Sequence, residues 1–301
     1  MYTNKEIWNV SYPIFLGLLA QNIINVTDTA FLGRVGEVEL GASAMGGLFY
    51  ICVFTIAFGF SIGSQILIAR RNGEGRYKDV GPVMIQGGTF LLGLAVVLFG
   101  LTRLLAPSIV RLLISSDSIF DATMEFLNWR IFGFFFAFVN VMFRALYIGI
   151  TRTKVLTMNA VVMALVNVLL DYMLIFGKFG MPEMGIKGAA VASVMAEAAS
   201  LVFFLIYTYA KVDFKKFGLN HWQRIDFSLL GRILSISCFT MVQYFLAMAT
   251  WFVFFIAIER LGQRELAIAN IVRSIYIVML IPVQALSTTA NSLVSNLIGA
   301  G

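Results

Sequence analysis

The stretch that decides the fold is Ile7–Phe31, with the sequence IWNVSYPIFLGLLAQNIINVTDTAF. It is long enough to cross a bilayer as a helix, which takes about 20 mostly apolar residues. It contains Pro13, which removes one backbone hydrogen bond and gives a helix a place to bend. It also contains Asp28, and a charged aspartate at mid-bilayer costs at least ~2.5 kcal/mol on insertion scales. We therefore predict a bendable membrane helix whose carboxylate points into a cavity.

Two amide side chains share the helical face of this carboxylate. Gln21, Asn25 and Asp28 follow the i, i+4, i+7 spacing that places residues on one side of a helix. We predict that this polar stripe turns toward other helices and lines the cavity. The alternative is that Asp28 only makes a polar contact between two helices.

The composition restricts the class of protein. The 301 residues are 59% hydrophobic and 13% charged, with a mean hydropathy of +0.87. Several apolar runs exceed the ~18 residues that indicate a membrane span. A soluble domain is therefore excluded, and we predict an all-α polytopic membrane protein. The formal net charge of +6 bears on topology rather than on nucleic-acid binding.

Hydropathy predicts eight membrane spans. Their predicted bounds are Ile7–Phe31, Leu40–Ala69, Pro82–Leu105, Ile131–Ile150, Val155–Gly177, Ala189–Ala210, Phe227–Ile258 and Leu266–Ile298. The mixed stretch Pro107–Arg130 is amphipathic, and we predict that it lies along the membrane interface. Loops on the N-terminal side hold about twelve lysines and arginines against about eight on the other side, so we expect a cytoplasmic N-terminus.

The first two spans recur near the end of the chain. Shifting the sequence by 226 residues aligns Ile7–Gly75 with Ile233–Gly301 without a gap. Six spans separate the copies, an even number, so both copies have the same orientation, as in the parallel repeats of some secondary transporters. The second copy stops after its second span, so we expect the sequence to be C-terminally truncated.

Several short runs carry a resemblance to a known family. They are VTDTAFLG at 26–33 with Pro13 upstream, FRA at 143–145, GITRTK at 149–154, NVLLDYMLIFG at 167–177 and GIKGAAVAS at 185–193. Together they resemble the MATE (multidrug and toxic compound extrusion) transporters. Acids in both the first and the fifth span, with none within Ser235–Ile258, are most similar to the DinF-like branch.

The resemblance implies an architecture of twelve spans in two six-span lobes. Residues 1–210 would form the N-terminal six-helix lobe, and 211–226 a cytoplasmic connector. Residues 227–301 would form a partial C-terminal lobe with spans seven and eight. We expect a multi-pass protein of the inner (plasma) membrane that is monomeric when full length and has no nucleic-acid partner.

The candidate site combines two acids at similar depth. Asp28 and Asp171 both fall in the outer half of outward-running spans, and Asn167 shares the face of Asp171. The candidate cavity residues are Asp28, Asp171, Asn167, Asn140, Ser193, Asn25, Gln21 and Glu197. The two aspartates suit a proton or Na⁺, and we expect no cofactor besides this coupling ion. A static polar network between helices is the alternative for the asparagines and the serine.

We expect an antiporter. Protonating Asp28, or placing Na⁺ beside it, removes the local charge and changes the favoured packing of its helix, with Pro13 as the hinge. By resemblance, the exported substrates are amphipathic organic compounds, often cations. The alternative is a lipid-linked oligosaccharide flippase, which would need several intramembrane basic residues, whereas only Arg144 and Arg273 qualify. We expect no enzyme, because the G-x-S-x-G match at 59–63 lies inside an apolar span.

Overall fold

The chain folds as a set of long helices. The computed structural model describes residues 2–114, 116–220, 225–259 and 263–301, and no strand occurs among them. The helices are α1 Asn4–Val35, α2 Glu37–Gly73, α3 Val80–Leu113, α4 Asp117–Arg130, α5 Gly133–Gly149, α6 Lys154–Ile175, α7 Gly185–Lys211, α8 Phe227–Glu259 and α9 Gln263–Ala300. Among the described residues, seven helices are long and apolar enough to cross a membrane, and α4 with α5, bent by 54° across a short break, would add an eighth as one broken span. The predicted all-α membrane fold is confirmed.

The stretch Pro107–Arg130, predicted to lie along the membrane interface, is divided between two helices. The helix α3 continues through Pro107 to Leu113, and α4 then packs along α2 and α7. Phe126 and Leu127 of α4 are buried between these helices. The acids and Arg130 lower the hydropathy of this stretch, but Arg130 is paired with a carboxylate inside the bundle. The stretch therefore consists of the end of α3 and a helix, α4, that packs against the bundle.

The helix α5 lies at the centre of the bundle formed by α1–α7. It packs on α2, α3 and α7, while α6 packs on α7 and α1. The large side chains of α5 that are at most 1% exposed are Phe134, Phe138, Met142, Leu146, Tyr147 and Ile148. The hydroxyl of Tyr147 shares a 2.7 Å hydrogen bond with the hydroxyl of Thr208 on α7, which satisfies its polar end inside the core.

Glycine lets α8 approach α2 closely. A Cβ atom at Gly59 would lie 2.7 Å from the Cα atom of Met241, so a larger residue would push the two helices apart. The hydroxyls of Ser237 and Thr240 donate to the carbonyls of Phe60 and Gly59, each at 3.1 Å. Small residues and hydroxyl bonds thus attach α8 to the first seven helices.

The start of the penultimate helix follows the offset found in the sequence to within three residues. The helix α1 begins at Asn4 and α8 begins at Phe227, 223 residues later. Residues 221–224 of the predicted connector and the side chain of Arg273 lie outside the described part of the chain.

Candidate functional site

Two acids from different helices meet through one amide. Asp28 comes from α1, and Asn167 and Asp171 lie one turn apart on α6. With its amide nitrogen turned toward the acids, Asn167 donates to Asp28 Oδ1 at 2.9 Å and to Asp171 Oδ2 at 3.3 Å. This orientation gives both carboxylates a donor, whereas the opposite one would place an oxygen against them. The three residues, which were predicted from depth and helical face to line one cavity, therefore lie in one cluster.

The cluster is buried and incompletely satisfied. Asp171 is 0% exposed and Asn167 1% exposed, whereas Asp28 is half-buried. The Oδ1 atom of Asp171 has no hydrogen-bond partner in the described part of the chain. Two ionised carboxylates in one apolar site repel each other and lose their hydration. The arrangement therefore favours a proton shared between the acids or a cation held by them.

In the described part of the chain, the two acids have no third carboxylate, histidine or cysteine beside them. No group of three or more histidine, cysteine, aspartate or glutamate side chains converges among the described residues. A cation at Asp28 and Asp171 would take its further ligands from amide, hydroxyl or carbonyl oxygens, or from water.

The proline segment of α1 is fastened to the helix that carries Asp171. The hydroxyl of Thr157 on α6 donates to the carbonyl of Pro13 at 2.9 Å, and Thr153 donates to the carbonyl of Val10 at 3.1 Å. The helix α1 remains one continuous element through Pro13. The predicted hinge thus lies at one end of the α1–α6 interface and the carboxylate cluster at the other.

Glu197 forms a second cluster, with partners that the sequence analysis missed. Its carboxylate accepts two hydrogen bonds from the Arg130 guanidinium, at 2.6 and 3.0 Å, and one from the Tyr50 hydroxyl at 3.1 Å. The guanidinium also lies 3.6 Å from the centre of the Tyr50 ring. One signal was available in the sequence, because an acid inside an apolar span needs a cation and Arg130 ends a neighbouring charged stretch.

The remaining candidates occupy different positions. Asn140 donates to the backbone carbonyl of Glu197 at 2.9 Å, and its own Oδ1 is buried with no partner in the described structure. Ser193 is half-buried on α7. Gln21 and Asn25 are exposed, and neither side chain makes a hydrogen bond with any described residue. Of the predicted α1 stripe, only Asp28 joins the acid cluster.

The chain is similar to several known proteins. The MatE family model matches residues 13–173. A "Probable multidrug resistance protein NorM" from Agrobacterium fabrum is 29% identical over 229 residues, covering 74% of this chain and 48% of that protein. One of the same name from Idiomarina loihiensis is 24% identical and covers 79% and 53%. The chain thus spans about half the length of the curated relatives it matches.

Solved structures share the fold. One described as the outward-facing conformation of a multidrug resistance MATE family transporter has a TM-score of 0.87 at 19% identity, covering 98% of this chain and 65% of that chain. Two others, described as MATE in the bent and in the straight conformation, both have TM-scores of 0.87. With a family model that matches more than half of its residues, the chain belongs to the MATE family.

Proposed function

We propose that the protein exports amphipathic organic compounds, often cations, in exchange for H⁺ or Na⁺. The observation that supports this most directly is the buried cluster of Asp28, Asn167 and Asp171, which joins α1 to α6. It has the chemistry of an exchangeable cation site, because its acids are buried and one carboxylate oxygen lacks a partner. The relatives named as multidrug resistance proteins support the class of substrate and give the flippase alternative no support.

The cation would act by changing the charge between the two helices. When a proton or Na⁺ binds, the repulsion between Asp28 and Asp171 disappears and α1 packs closely on α6. When the cation leaves, the two carboxylates repel and favour a different position of α1. Because Pro13 lacks an N–H group, α1 bends there at lower cost than elsewhere.

Several finer assignments belong to the same proposal. We assign the protein to the DinF-like branch, because both Asp28 and Asp171 contribute to one cluster. We place it in the inner (plasma) membrane with a cytoplasmic N-terminus, on the distribution of lysine and arginine in its loops. It would work as a monomer and would catalyse no chemical reaction.

Ethidium efflux from a pump-deficient bacterium tests the proposal. The protein is expressed from its complete gene as wild type, Asp28→Asn, Asp171→Asn and, as a control, Asp117→Asn. Asp117 is an acid with an 81% exposed side chain that pairs with Arg111 away from the cluster. We expect efflux at the empty-vector level for the two cluster variants and wild-type efflux for the control, at equal amounts of protein in the membrane.

The coupling ion is decided in the same assay. A protonophore stops efflux if H⁺ drives it, and replacing Na⁺ with choline stops efflux if Na⁺ drives it. Wild-type efflux by Asp28→Asn, or efflux that survives the loss of both gradients, would overturn cation antiport.

A further inference from the structure

A polar cavity lies between the first seven helices and the last two. It has a volume of about 200 Å³ and is bordered by α2, α5, α8 and α9. Its polar lining consists mainly of Gln65, Arg144, Gln243, Ser287, Thr288 and Asn291. Among the described residues that line the cavity none is a carboxylate, and the guanidinium of Arg144 is the one charged group.

Arg144 differs from Arg130, another arginine inside the bundle. Arg130 is matched by Glu197 at 2.6 Å, whereas Arg144 makes no ion pair or hydrogen bond with any residue that the structure describes. Its guanidinium lies 5.6 Å from the centre of the Phe58 ring, a contact that leaves its N–H groups free. A positive charge inside a membrane bundle needs a counter-charge, and the described chain offers none here.

The cavity wall also holds amide and hydroxyl groups without partners. Gln65 is 5% exposed, yet its amide makes no hydrogen bond within the described part of the chain. The amide atoms of Gln65 are not fully enclosed, so they reach the space of the cavity. The Oδ1 atom of Asn291 is buried and unpartnered, and as an acceptor it would not contact a bound anion. Since Gln65 borders the cavity, its free N–H groups are available to an occupant of that cavity.

We propose that this cavity binds a small anionic group, either a halide or the carboxylate of an aromatic acid, with Arg144 as its charged ligand. The amide of Gln65 and the hydroxyls of Ser287 and Thr288 supply further donors. The volume is below the roughly 300 Å³ at which drug-sized pockets begin, so it suits a small ion or one acid group. The rings of Phe58 and Tyr244 border the same space and would contact the apolar part of an aromatic acid.

The position of the site indicates what an anion would do. Arg144 belongs to α5, whereas Ser287 and Thr288 belong to α9, so a bound anion would bridge helices on both sides of the cavity. Further along α9, Asn296 donates to the carbonyl of Gly149 at 3.0 Å and accepts from Asn72 at 2.7 Å. The anion would therefore stabilise the arrangement in which α9 is closed against α2 and α5. This inference does not depend on the proposed antiport, because the site shares no residue with the Asp28 cluster.

Direct binding to the purified full chain tests the proposal. Radiolabelled chloride and radiolabelled benzoate are titrated separately in detergent, in a buffer free of chloride and of carboxylates. We expect saturable binding with one site per chain for at least one of the two probes. The Arg144→Gln variant should bind at least about tenfold more weakly, a change of roughly 1.4 kcal/mol or more. Arg144→Lys, which keeps the charge, should retain measurable binding.

Two further variants separate loss of the site from loss of folding. Ser287→Asp places a carboxylate in the cavity beside an intact Arg144, so it should fold normally and no longer bind either anion. Arg103→Gln changes an exposed arginine of α3 that bonds to Asn128, and it should bind like wild type. All variants are compared at equal helix content and equal elution volume.

The two probes distinguish the source of the anion. Tighter binding of benzoate than of chloride, with mutual competition, points to the acid group of an amphipathic compound, and the reverse order points to a free halide. Either order supports the anion site. No binding by the wild type would show that the cavity holds water only, and equal binding by Arg144→Gln would show that the anion binds elsewhere. Both results would overturn the proposal.

Discussion

Replacing Glu197 with glutamine should destabilise the helix bundle strongly. The side chains of Glu197 and Arg130 are only 7% and 13% exposed. Both carboxylate oxygens accept from the guanidinium, and the Tyr50 hydroxyl donates to the same carboxylate. Glutamine keeps the shape and one acceptor oxygen but leaves the charge of Arg130 uncompensated inside the bundle.

The size of the effect follows from this geometry. Removing one member of a buried ion pair costs about 3–5 kcal/mol, because the other charge remains buried. The hydrogen bond that the remaining glutamine oxygen still accepts offsets roughly 1 kcal/mol of this cost. We therefore expect the free energy of unfolding to fall by about 2–4 kcal/mol. At about 2–4 °C per kcal/mol, the Tm falls by roughly 4–16 °C.

Heating the purified protein in detergent measures this change, with the folded fraction read from tryptophan fluorescence after size exclusion. Glu125→Gln is the matched control, since Glu125 is exposed on α4, and its Tm should stay within about 2 °C of wild type. The double variant Glu197→Gln/Arg130→Gln should recover part of the loss, because both buried charges are gone. A Tm for Glu197→Gln equal to that of the control would refute the assignment of a stabilising buried pair.

Three more substitutions give distinct outcomes. Pro13→Ala restores a backbone donor and removes the bending point, so ethidium efflux should slow while the Tm stays the same or rises. The control Pro182→Ala, in an exposed loop, should change neither efflux nor Tm. Unchanged efflux by Pro13→Ala would exclude the hinge. Thr157→Val removes the hydrogen bond to the Pro13 carbonyl and should lower the free energy of unfolding by about 1 kcal/mol. This change would appear as a Tm lower by roughly 2–4 °C. An unchanged Tm would mean that the bond contributes nothing to stability. Gly59→Leu should eliminate the monodisperse peak in size exclusion, whereas Gly93→Leu, with open space at its Cβ position, should keep that peak. Equal elution profiles for the two variants would contradict the close α2–α8 contact.

Hydropathy located the membrane spans well but not their ends. The predicted second span was Leu40–Ala69, whereas α2 runs from Glu37 to Gly73. Hydropathy registers only the apolar window, while the helix continues through charged residues in the interface because its backbone hydrogen bonds continue. The same limitation applies to α4, where Arg130 is neutralised by its tertiary pair with Glu197 rather than by water. A local average of hydropathy contains no information on a partner 67 residues away, as Glu197 is from Arg130.

The carboxylate cluster was predictable because it depends on depth and helical face, which span direction and spacing determine. Asp28, Asn167 and Asp171 were assigned to similar depth, and they meet. Gln21 and Asn25 share the spacing of Asp28 but are exposed, since spacing defines a face of one helix and not the neighbour opposite that face. The environment of Arg144 could not be predicted from the sequence, because its cavity is formed by four helices from distant parts of the chain.

The helix α6 connects the two features of α1 on which transport would depend. Near one end, Asn167 donates to both Asp28 and Asp171, and ten residues earlier Thr157 donates to the carbonyl of Pro13. At 1.5 Å per residue these attachments are about 15 Å apart along α6. A change of charge at Asp28 alters only the first attachment, because the threonine bond involves no titratable group. We therefore expect α1 to pivot next to a fixed point rather than to leave α6 as a rigid rod. The pivot falls at Pro13, where a backbone donor is already missing and bending breaks the fewest hydrogen bonds.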